Sequence, residues 1–78
     1  MLFGKYLLQS RKQQNLSTYE LAEKCGIARS YITLMENGKR LPSKKIIPKI
    51  AKSLNVKTNI VINWYLEEIR ERLEKEVG

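Results

Sequence analysis

A catalytic centre needs groups that move protons, hold metals or attack electrophiles, and this chain is poor in all of them. It has no His and no Asp, and Cys25 is its only thiol. No acid–base dyad suggests itself, and the converging imidazole, thiolate and carboxylate ligands of a metal site are missing. The inventory argues against an enzyme and calls for no cofactor and no metal. What the chain does hold is 15 Lys and Arg, for a net charge of +7 over 78 residues. Groups of that kind bind polyanions. Arg29 can donate two hydrogen bonds to the O6 and N7 of a guanine, and Ser30 stands beside it. Thr33 and Leu34 offer a hydroxyl and a surface matched to a thymine methyl. Ser17, Thr18, Asn37, Lys39, Arg40, Ser43 and Lys44 flank this set on both sides, as an edge gripping two phosphate backbones requires. Tyr19 and Tyr31 either hydrogen-bond a phosphate through the phenol or cover the core. Lys45, Lys49 and Lys52 read equally well as a solvated helix face.

The charge is unevenly placed. Residues 1–57 hold twelve Lys and Arg against Glu20, Glu23 and Glu36, giving +9, whereas residues 58–78 carry −2. A basic body with a mildly acidic tail suits a polyanion-binding module with an accessory helix. Seventy-eight residues make a single domain with a small core. One Cys excludes an internal disulfide and points to a reducing cytoplasm, with Cys25 serving as a small buried hydrophobe. No charged segment precedes a long apolar run, so no signal peptide is expected. The longest apolar stretch, Ile60 to Leu66, is interrupted by Asn63 and is too short to span a bilayer.

These side chains must be positioned by the stretch Thr18 to Asn37, TYELAEKCGIARSYITLMEN, which reads as two short helices meeting at a tight turn. Leu21, Ala22 and Cys25 give the first an apolar edge, and Gly26 can take the left-handed conformation that reverses the chain. Ile27 follows as a plug. Ile32 and Met35, spaced i, i+3, anchor the second helix and leave Arg29, Ser30, Thr33 and Leu34 outward, with Tyr31 to one side. Small residue, turn glycine, plug and second anchor at this spacing describe a helix-turn-helix.

With Arg11 before it, Leu16-Ser17 at its entry and Glu36-Asn37-Gly38-Lys39-Arg40-Leu41-Pro42-Ser43 after it, the stretch resembles the Cro/repressor-type helix-turn-helix family, also called the XRE family. Ile50-Ala51-Lys52-Ser53-Leu54-Asn55-Val56 extends the likeness, which covers about Leu2 to Ile62. The resemblance implies an all-α, five-helix lambda-repressor-like domain that binds double-stranded DNA. It places the base-reading positions on Arg29, Ser30, Thr33 and Leu34. It also implies a partly buried ion pair between Arg11 and Glu36; two solvated charges are the alternative. Where the family often has amide side chains at reading positions, this chain has none, so adenine preferences do not carry over.

The remaining elements follow in order. Residues 2–14 form a first helix with Phe3, Leu7 and Gln14 on one face and Tyr6 beside them. Ser10 stands where the family often has an apolar residue, and Asn15 occupies a turn position where Gly is usual. Ser17 and Glu20 have the spacing of a capping box, while Ala28 cannot cap the third helix. Pro48 excludes a regular fourth helix from Ser43, so it should begin near Ile46 or Ile47 and bury Ile47, Ile50, Ala51 and Leu54. Asn55 ends it and Thr58 should cap the fifth.

That last helix, 59–77, runs longer than the 2–62 core needs. At 100° per residue, Ile60, Val61 and Trp64 form a sector that should close the core. Ile62, Leu66, Ile69, Leu73 and Val77 form a second, narrow seam, with Glu67, Glu68, Glu71, Arg72 and Lys75 on the wet side. The acidic polar face disfavours a membrane surface. The seam suits a homodimer, and so a dimeric repressor on a pseudo-palindromic operator. It also permits a protein partner, as in an antitoxin or adaptor.

Overall fold

Residues with special backbone freedom decide where the helices stop. A computed structural model describes residues 2–77, with helices as the only regular elements among them: α1 (Leu2–Gln13), α2 (Thr18–Cys25), α3 (Arg29–Glu36), α4 (Ile46–Ser53) and α5 (Thr58–Val77). The all-α, five-helix architecture is the expected one. Asn15 (φ 56°) and Asn55 (φ 58°) take the left-handed conformation just beyond α1 and α4, which Asn tolerates better than most residues. Gly26 does the same after α2 at φ 68°. At the start of α2, Ser17 Oγ accepts from the Glu20 N–H at 3.0 Å, and the Glu20 carboxylate accepts from the Ser17 N–H at 2.9 Å. Ala28 leaves α3 with no side-chain cap. Pro48 falls in the first turn of α4, where an N–H has no intrahelical acceptor to lose.

One core runs through all five helices. Phe3 and Leu7 of α1 meet Leu21, Ala22 and Cys25 of α2, Ile32 and Met35 of α3, Ile50 and Ala51 of α4, then Leu54 and Val61. Burial pushes the Cys25 thiol up, with a weaker opposing effect from Ser53, whose hydroxyl lies 3.4 Å from the sulfur. The inward face of α1 differs from the expected one. Gln14 is exposed, and the buried positions beside Phe3 and Leu7 are Gly4 and Ser10. Gly4 is required by close approach: a Cβ there would lie 2.5 Å from the Glu36 carbonyl oxygen and 2.6 Å from that of Met35.

The fifth helix departs further. It starts at Thr58, which is therefore its first helical residue rather than its cap; the chain already turns at Lys57, whose carbonyl accepts the Ile60 N–H. Ile60 is exposed, because it stands 100° from Val61 around the helix and Val61 alone takes the centre of the core. Trp64 is half-buried, edge-on to Phe3 at 6.2 Å and tilted against Tyr6 at 6.1 Å. Glu68 is not on the wet side. It is 2% exposed, two turns beyond Val61 and on the same face. Its carboxylate accepts the Phe3 N–H at 3.1 Å and the Arg72 Nε–H at 2.8 Å. The first amides of α1 have no acceptor within their own helix, and α5 supplies one.

Burial pushes the Glu68 carboxyl up, but the hydrogen bonds from Arg72 and the Phe3 N–H outweigh it and hold the group below its ordinary value of 4.5. A depressed carboxyl contributes stability that is complete above the ordinary value and is lost as pH falls through the folded one. Thermal melts from pH 7 to pH 3 should therefore show the wild type losing stability below about pH 4.5. Glu68→Gln should be less stable at pH 7 by about 1.5–3 kcal/mol and have a flatter acid limb. A constant offset at every pH would mean that the carboxylate charge contributes nothing.

Candidate nucleic-acid interface

The turn between α2 and α3 sets the outward face of α3. Gly26 donates its N–H to the Ala22 and Glu23 carbonyls, and the Ile27 N–H also reaches Ala22 at 3.0 Å. With Ile32 and Met35 wholly buried, helical spacing leaves Arg29, Ser30 and Thr33 exposed and Leu34 half-buried at the edge. These four residues and Ala28 line one shallow concavity of about 510 Å³. Ala28 stood out in the sequence only as a missing cap; its methyl group is part of this surface. The Thr33 hydroxyl donates a long bond, 3.3 Å, to the Arg29 carbonyl one turn earlier.

The flanking residues fall into two groups. Asn37, Lys39, Arg40, Ser43 and Lys44 are exposed in the segment after α3. Ser17 is exposed and Thr18 half-buried at the start of α2, with the Ser17 hydroxyl engaged by the Glu20 amide. Tyr31 packs against the core, and its hydroxyl oxygen accepts the Ser43 N–H at 3.1 Å. The Arg40 guanidinium lies 4.2 Å above the Tyr31 ring, a cation–π contact that ties the basic loop to α3. Tyr19 is exposed and does not cover the core. Lys49 and Lys52 line a separate cavity of about 490 Å³ with Glu23, Lys24 and Ser53.

Behind this face, the Arg11 guanidinium meets both oxygens of Glu36, Nε–Oε2 at 2.6 Å and Nη2–Oε1 at 3.1 Å. Its third contact is to the Leu16 carbonyl at 2.8 Å. The two side chains are 12% and 9% exposed. On α5, Ile62, Leu66, Leu73 and Val77 are exposed and Ile69 is half-buried. Among the described residues no helix is long and apolar enough to cross a membrane, and no three metal-ligating side chains come together.

The helix-turn-helix family model matches residues 7–61, most of the chain and all of α2, α3 and α4. The chain belongs to the helix-turn-helix family. It is 31% identical over 68 residues to the ImmF control region 10 kDa protein of Bacillus phage phi105, covering 87% of this chain and 76% of that one. It also resembles solved structures. Against SinR, the master regulator for biofilm formation, in complex with DNA, the TM-score is 0.71 at 33% identity, over 77% of this chain and 97% of that one. Against the SinR protein/SinI protein complex it is 0.73 at 32% identity, over 99% of this chain and 75% of that one.

In this helix-turn-helix protein the Arg11–Glu36 pair joins α1 to the end of α3, and its burial makes it sensitive to loss of one partner. Arg11→Met and Glu36→Gln should each destabilise by about 3–5 kcal/mol, because each strands the opposite charge. The double substitution should cost clearly less than the sum of the two. Thermal melts of the four proteins test this, and small additive losses would contradict it.

Proposed function

We propose that this chain is a sequence-specific, double-stranded DNA-binding regulator of transcription, a repressor that binds a pseudo-palindromic operator as a homodimer. The observation that carries the reading is the outward face of α3. There Arg29, Ser30, Thr33 and Leu34 share one concavity, with cationic and hydroxyl groups on both flanking segments. In this arrangement α3 enters the major groove and Arg29 addresses a guanine. Lys39, Arg40, Ser43, Lys44, Asn37, Ser17, Thr18 and Tyr31 grip phosphates. Likeness to a SinR–DNA structure over the whole motif supports the same reading.

Selection of duplexes from a random pool, followed by affinity measurements over a range of salt, tests it. Arg29→Ala should cost about 1–3 kcal/mol at one base pair per half-site and relax preference there. Lys39→Ala should weaken all sequences alike and flatten the salt slope by roughly one unit. If Arg29→Ala weakens specific and random DNA equally, Arg29 is a phosphate contact only.

The homodimer rests on the seam of α5, where Leu66 and Leu73 are each more than half exposed and Val77 is 88% exposed. Ile62, Leu66, Ile69, Leu73 and Val77 packed across a two-fold axis would cover one another, and such a patch is self-complementary. The axis would present two α3 helices to successive major grooves about 34 Å apart. A second reading places a protein partner on the same seam; the likeness to the SinR–SinI complex, which extends over 99% of this chain, favours it. Sedimentation separates these readings. The wild type should be dimeric at micromolar concentration and Leu66→Glu/Leu73→Glu monomeric, with palindromic sites bound more tightly than half-sites only by the former. A monomeric wild type that co-purifies with a second polypeptide favours the partner instead.

A further inference from the structure

The concavity on α3 has a chemistry narrower than base reading in general. Of its five lining residues, Ala28 and Leu34 bring hydrocarbon only. Thr33 would normally be counted as polar, but its hydroxyl is directed back to the Arg29 carbonyl at 3.3 Å. Its β-carbon then has one other heavy group to present, the γ-methyl. Arg29 and Ser30 alone bring side-chain donors not already directed to the backbone in the lining, and they belong to the first turn of α3. The surface is thus an apolar patch bordered by one cation.

We propose that this patch selects the 5-methyl group of a pyrimidine in the major groove: a thymine, or equally a 5-methylcytosine, next to the base pair addressed by Arg29. The inference rests on the DNA-binding reading above and names the group recognised. In the major groove a thymine differs from a cytosine in its hydrogen-bonding edge and by its methyl. Apolar contact recognises the methyl and leaves the 4-position unread. A patch of Ala28, Thr33 and Leu34 has no free donor to address that 4-position, since the Thr33 hydroxyl proton is directed to the Arg29 carbonyl. It therefore gains the same methyl contact from 5-methylcytosine over cytosine as from thymine over uracil, the two unmethylated bases leaving an empty space above C5. Cytosine methylation within a half-site would then raise affinity, opposite to the loss expected where a methyl group meets a closely packed polar contact.

The probe is the duplex that the wild type selects from a random pool, resynthesised with single replacements and titrated by fluorescence anisotropy. At one thymine per half-site, deoxyuridine should weaken binding about fourfold, which is ~0.8 kcal/mol, the burial of one methyl-sized group. Placing cytosine there should weaken binding, and 5-methylcytosine should restore about fourfold over cytosine. In Leu34→Ala and in Thr33→Ser the ratio of thymine to uracil affinity should fall toward one, even if overall affinity drops. Circular dichroism and melting confirm that each variant folds. Equal wild-type affinity for thymine and uracil at every position, or a selected motif without thymine, overturns the proposal while leaving DNA binding intact. A uracil penalty unchanged in both variants also overturns it, because the methyl group would then act through DNA shape. Failure to bind any duplex removes the DNA-binding reading and this inference with it.

Discussion

Glu36 is the last residue of α3, and the way its carboxylate is bound decides where α1 lies. Two guanidinium N–H groups of Arg11 meet its two oxygens. A third, on the Leu16 carbonyl, draws in the segment leading to α2. This planar, bidentate geometry is something Lys could not reproduce. It explains the glycine at position 4. With α1 pulled onto the end of α3, the Gly4 Cα comes so close to the Met35 and Glu36 carbonyls that no side chain fits. One ion pair and one missing Cβ thus set the α1–α3 approach together. A substitution such as Gly4→Ala would act against the same contact from its other side, since overpacking is resisted by rigid backbone.

The same end of α3 is also reached from α5. Glu68 accepts the Phe3 amide, Arg72 holds Glu68, and Arg72 Nη2 stands 3.5 Å from the Gly38 carbonyl just beyond α3. The C-terminal half of α3 is therefore held by α1, by α5 and by the turn after it. Its N-terminal end has no side-chain cap, carries Arg29 and faces solvent. A helix held at one end and open at the other can present its first turn at a defined angle. On the DNA-binding reading, that division suits Arg29 and Ser30 in the open first turn, with Thr33 and Leu34 in the held half behind them.

Much of this was legible because local rules set it. The Ser17–Glu20 capping box, the turns at Gly26, Asn15 and Asn55, and the start of α4 two residues before Pro48 all follow from interactions within a few residues of the chain. Ile32 and Met35 likewise fix the outward face of α3 by spacing alone. What escaped were residues whose environment is made by distant segments. Glu68 reads as wet because it is a charged side chain with Arg72 four residues on, although its seven-residue spacing from Val61 places it on the buried face. Ser10, seven residues after Phe3, carried the same signal, and residue type again obscured it. Gly4 left no periodic trace at all. Its role exists only once the carbonyls of α3 are brought against it.

The charge distribution takes on a different meaning with Glu68 assigned to the inside. Of the five carboxylates in α5, Glu68 is committed to the end of α1, while Glu71 and Glu74 face Lys75 and Arg70 across one helical turn at 3.4 and 3.8 Å. Exposed pairs of this kind stabilise a helix very little. Their effect lies elsewhere: they place charges of both signs around the Ile62–Val77 seam, whose helix keeps a net −2, while the net positive charge stays on residues 1–57. A seam flanked by charges of both signs can meet a second copy of itself with less repulsion than a uniformly acidic helix would suffer. On the homodimer reading, α5 then carries association and α3 carries recognition. The basic surface of each copy remains available to DNA rather than being neutralised at the interface.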